Sequence, residues 1–80
     1  MSEIDKFRGK LAGAEDQDRK LKLKLDGLRG SLRALLDPID AVDKLDGEQI
    51  AQQAVEFAAV QVEYVEVRAT IDKIKNVLGR

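Results

Sequence analysis

Asp37, Asp40, Asp43 and Asp46 recur at every third position in the middle of the chain, and carboxylates gathered in a turn are the raw material of a divalent-cation site. A calcium loop needs more than acidity. It requires oxygen ligands at alternating positions, a glycine at the sharp turn and a distal bidentate carboxylate, and those offsets are missing here. Helix capping and solubility account for the aspartates with fewer assumptions, and no metal is expected. Glu15, Asp16 and Asp18 form a second acidic group. They read as a polar helix surface rather than a catalytic carboxylate pair, because adjacent residues of a helix point in different directions.

The hydroxyls of Ser2, Ser31 and Thr70 have no imidazole to activate them, since the chain contains no histidine. It also contains no cysteine, which removes thiolate chemistry, disulfides and the usual zinc or iron sites. No glycine-rich phosphate loop, nucleophile elbow or dinucleotide fingerprint appears. An enzyme is therefore not expected, and neither is a cofactor.

Arg19, Lys20, Lys22, Lys24, Arg29 and Arg33 make the strongest charge cluster, offset only by Asp26. Such a stretch could contact nucleic-acid phosphates. Three observations weigh against it. Around a helix these cations scatter instead of forming one stripe, no aromatic lies among them for base stacking, and the formal net charge of -1 supplies no global attraction to a polyanion. A small nucleic-acid-associated accessory protein using residues 19–33 is thus the alternative reading, not the first.

What positions these side chains is an apolar repeat. Ile4, Phe7, Leu11, Ala14, Asp18, Leu21, Leu25, Leu28, Leu32, Leu35, Ile39 and Val42 return at alternating steps of three and four, with Asp18 the one polar member. Ile50, Gln53, Phe57, Val60, Tyr64, Val67, Ile71, Ile74 and Leu78 continue the spacing after a break at Asp46 and Gly47, with Gln53 the polar member. This is a heptad repeat with these residues at positions a and d, and it predicts helices packed along a seam. Alternation in Lys20 to Leu25 and in Val60 to Arg68 favours strands locally. The heptads cover both halves of the chain, the alternation only short pieces, so the all-α reading prevails.

Ser2, with Asp5 three residues on, caps a first helix of about residues 3–36, which Pro38 terminates. Asp37 followed by Pro38 reads as a cap and first helical position, predicting a short helix within the turn at about 37–46. Asp46 and Gln49 form a capping-box pattern for a second helix of about 47–78, with Gly79 as its stop. One domain, residues 1–80, results: an antiparallel two-helix coiled-coil hairpin. The expected register sets Phe7 against Leu78, Leu21 against Tyr64, Lys24 beside Glu63 and Glu15 beside Arg68. Phe57 and Tyr64, both on the seam, are expected in the core. A buried Asp18 and Gln53 would fix register and partner number at some cost in stability, and Asp18 could instead escape burial or reach Arg68.

Two helices of this length bury little apolar surface for their chain entropy, which makes oligomerisation the expected supplement. The second helix offers the means. Ala51, Val55, Ala58, Val62, Val65 and Ala69 form another three-four series roughly opposite the first, and a helix apolar on two sides has two partners. The outer face of the first helix carries Gly9, Ala12, Gly13, Gly27, Gly30 and Ala34, a surface that would let another helix approach closely. The expected assembly is a homo-oligomer, in the first instance a dimer forming a four-helix bundle, with a larger bundle or a larger protein partner also open. No stretch approaches the roughly 18 apolar residues of a membrane span, and the first residues carry no apolar run of signal-peptide length. A cytoplasmic, non-enzymatic protein-protein interaction or assembly module is the reading these features support.

Overall fold

The computed structural model describes residues 2–79. Two long helices, α1 (Glu3–Leu35) and α2 (Gly47–Leu78), fold back on each other, and no strand occurs among the described residues. The chain is an all-α helical hairpin. Its principal dimensions, 61 × 17 × 16 Å, are those of a rod one helix pair thick.

Local chemistry sets the helix ends. The Ser2 hydroxyl accepts a hydrogen bond from the Asp5 amide at 3.3 Å, and Glu3 and Asp5 lie in the first turn beside the positive end of the helix dipole. At the other end Leu36 caps α1, its amide donating to the Leu32 carbonyl. Asp37 then closes a tight turn: its side chain accepts from the Ile39 amide at 2.9 Å and its carbonyl from the Asp40 amide at 3.2 Å. Pro38 therefore sits in this turn and does not open a helix. The short helix expected within 37–46 is reduced to one 3₁₀ turn, Val42–Lys44. The Asp46 carboxylate accepts from the Gln49 amide at 3.0 Å to start α2. Gly79 ends it at a φ of 73°, a left-handed conformation that favours glycine.

The turn overrules part of the heptad pattern. Ile39 and Val42 continue the spacing in sequence but lie beyond the end of α1 and are 89% and 87% exposed. Once the backbone leaves the helix, three-four spacing no longer places side chains on one face. Within the helices the seam holds. Leu11, Val60, Val67, Ile71 and Ile74 are buried, and Leu21, Leu25, Leu28, Leu32, Leu35, Ile50, Phe57 and Tyr64 are half-buried. The tightest packing is at the open end of the hairpin, where Leu11, Val67, Ile71 and Ile74 form one cluster joined by Phe7, Ala14, Leu21 and Leu78. The terminal Ile4 is exposed.

Neither inter-helix ion pair of the expected register forms, while the alternative contact of Asp18 with Arg68 does. Lys24 Nζ lies 3.6 Å from Glu56, not Glu63, and Arg68 reaches Asp18 at 3.5 Å, not Glu15. Glu56 and Glu63 occupy the same row one heptad apart, and a flexible lysine between two such carboxylates distinguishes them by less than about 1 kcal/mol. Arg68 has a stronger reason. Asp18 occupies a seam position with only 17% of its side chain exposed, while Arg68 stays 53% exposed, so the guanidinium bridges a partly desolvated carboxylate to solvent.

Candidate interaction surface

The structure leaves the second apolar series of α2 uncovered. Val55, Val62 and Val65 are 71%, 60% and 60% exposed, and Ala51, Ala58 and Ala69 are exposed with them. At about 100° per helical residue the stripe is centred about 150° from the seam, so the contact with α1 cannot shield it. From Gln49 to Val62 the only charged residue is Glu56, and Glu56 is engaged with Lys24 on the seam side. A shallow recess lined by Gln61, Val62, Val65 and Glu66 opens on this face. It lies between the i, i+4 rows Gln61–Val65 and Val62–Glu66, the kind of groove into which a facing helix inserts side chains.

Gln61 and Val65 also border a second cleft, which runs between the helices over Leu25, Phe57 and Tyr64 and is rimmed by Lys22, Asp26 and Arg29. The outer stripe is thus continuous with the edge of the helix-helix groove. The sequence pattern did not indicate this cleft; it arises where Phe57 and Tyr64 are half-buried rather than enclosed. Leu23, 75% exposed on the outer surface of α1, was likewise missed because it stands outside the a and d positions.

The other candidate residues are largely engaged locally. Arg19 and Lys20 both contact Asp16, at 3.4 and 3.0 Å, and Arg29 contacts Asp26 at 2.7 Å. With Lys24 on Glu56, four of the six cations contact carboxylates of the same molecule, Arg19 and Lys20 sharing Asp16; Lys22 borders the cleft and Arg33 lies in the last turn of α1. The hydrogen bond and charge of Lys20, with Arg19 adding, hold the Asp16 carboxyl below its ordinary value of 3.8. Asp16 and Asp18 therefore face different cations and form no carboxylate pair. Among the aspartates of the turn, Asp37 and Asp46 cap backbone amides. No group of three or more potential metal-ligating side chains occurs among the described residues. Thr70 donates its hydroxyl to the Glu66 carbonyl at 3.0 Å, a bond within its own helix.

Gln53 is the one seam residue with an unmet demand: its Oε1 is buried without a hydrogen-bond partner. An orphaned acceptor costs about 1–3 kcal/mol, and leucine fits the heptad at this position. Gln53→Leu is expected to raise stability by about 1 kcal/mol in urea denaturation followed by circular dichroism. Unchanged or lowered stability would mean that the amide is satisfied in solution.

No helix among the described residues is long and apolar enough to cross a membrane. No family model, curated protein or solved structure matches the chain.

Proposed function

We propose that the protein is a non-enzymatic interaction and assembly module that self-associates through the outer face of α2. The observation that carries this reading is the exposed, charge-poor stripe of Ala51, Val55, Ala58, Val62, Val65 and Ala69 on a helix whose opposite side is already occupied. Scattered surface valines need no explanation, whereas a continuous apolar row along a helix marks a binding face. The small buried core supports the same reading, since a single helix pair gains most from a further partner. A protein of the cytoplasm fits a chain that needs no disulfide. The nucleic-acid alternative gains nothing from the ion pairing of Arg19, Lys20, Lys24 and Arg29.

Sedimentation equilibrium over a concentration series tests the proposal, with the wild type passing from monomer to dimer. V62E/V65E is expected to weaken that association by at least about a hundredfold while leaving helicity intact, because unpaired carboxylates would be desolvated in the contact. A wild type that remains monomeric throughout, or a variant that associates as before, would overturn it.

A further inference from the structure

The stripe on α2, like any six-member three-four series, is symmetric in spacing, so the residues along its borders decide how a second copy can pair with it. Its members are spaced four, three, four, three and four residues apart, which reads the same in both directions about the level of Val60. A contact between identical surfaces across a two-fold axis must be self-complementary, each residue meeting the one at the mirrored position. Turning a second α2 antiparallel about Val60 sets Ala51 against Ala69, Val55 against Val65 and Ala58 against Val62. Every member of the stripe then meets another. The recess lined by Gln61, Val62, Val65 and Glu66 comes to lie where Val55 and Ala58 of the second copy arrive, providing a groove for their side chains.

The bordering rows separate this arrangement from its rivals. In the antiparallel pair Gln52 meets Glu66, Ala54 meets Arg68, Ala59 meets Ala59 and Gln61 meets Gln61, so no like charges oppose and the Gln61 amides can bond to one another. A parallel pair opposes the two flanks crosswise, setting Gln61 against Glu66 and the like charges of Arg68 and Lys73 against each other. Docking the stripe on the outer face of α1 is worse. The equivalent row there carries Asp16, Arg19, Leu23 and Asp26, and covering it would desolvate the ion pairs of Asp16 and Asp26 beneath valines.

We infer that the partner of the α2 stripe is the α2 stripe of a second copy, antiparallel, with the two-fold axis at Val60; this rests on the self-association proposed above. Because seam and stripe are about 150° apart, the dimer is a nearly flat layer in the order α1, α2, α2, α1, with each α1 on the outside. The contact between Ala51 and Ala69 is about 27 Å long. An interface of one helix pair is small, which makes the dimer concentration-dependent.

Cysteine pairing distinguishes the arrangements. A51C mixed with A69C, oxidised at a concentration where the wild type sediments as a dimer, is expected to yield the mixed disulfide, with little cross-linking of either variant alone. In a parallel pair each variant would cross-link to itself. As an independent check, V55E/V65K places opposite charges across the two-fold and should retain a dimer that weakens with salt, whereas V55E/V65E should be monomeric. Self-cross-linking of each cysteine variant, or equal loss of association in the two charge variants, overturns the antiparallel register. If the wild type nevertheless dimerises and V62E/V65E does not, the reading of the stripe as the association face stands. A monomeric wild type would remove both.

Discussion

Replacing Ile71 with alanine is expected to remove about 2–4 kcal/mol of stability, enough to leave much of the chain unfolded at room temperature. Ile71 is the most buried residue of the hairpin, 2% exposed, and sits in the cluster with Leu11, Val67 and Ile74. Truncation would forfeit the transfer energy of three methyl or methylene carbons and leave a cavity that two rigid helices close poorly. A core in a domain this small rarely contributes more than about 3–5 kcal/mol net, so one such loss approaches the whole. Val77→Ala, on the same helix but exposed, is the control and should change stability by no more than about 0.5 kcal/mol. Urea unfolding at one chain concentration, held well below the dimer dissociation constant, compares them without the contribution of association. Equal midpoints for the two variants would mean that the seam at the open end does not hold the hairpin together.

The residues that were legible in the sequence are those whose position on a regular helix decides their environment. Leu11, Val60, Val67, Ile71 and Ile74 are buried because the heptad turns them toward the facing helix, and Val55, Val62 and Val65 are exposed because the same periodicity turns them away. The helix ends were legible for a different reason: Ser2, Asp46 and Gly79 each supply a specific group or conformation that a terminus needs. Pattern misled where the backbone ceased to be helical, as at Ile39 and Val42, whose spacing ran on through a turn set by Pro38 and the Asp37 side chain. It also failed for Lys24, because a long side chain chooses among nearby carboxylates by amounts smaller than heptad position encodes, whereas Arg68 reaches Asp18, the seam carboxylate that was its alternative partner. Gln53 was visible as the polar member of its seam, but the missing partner of its Oε1 depends on the side chains around it.

Converting Gly9, Gly13, Gly27 and Gly30 together to alanine is expected to stabilise the hairpin by about 2–4 kcal/mol, at roughly 0.5–1 kcal/mol each. All four lie within α1, and a Cβ built at any of them meets nothing within 4 Å. Their present cost is therefore the backbone entropy lost on folding, with no close contact within the monomer to offset it. Gly79→Ala should do the reverse, since its left-handed φ of 73° strains any residue with a side chain. Urea midpoints of the two variants against the wild type measure both effects. The same quadruple variant bears on the assembly. If α2 pairs with α2, the outer face of α1 stays in solvent, and filling its glycines should raise the urea midpoint while leaving the dimer dissociation constant within about twofold of wild type. A large loss of association would instead show that these glycines admit a neighbouring helix, assigning α1 a contact that the α2 two-fold does not contain.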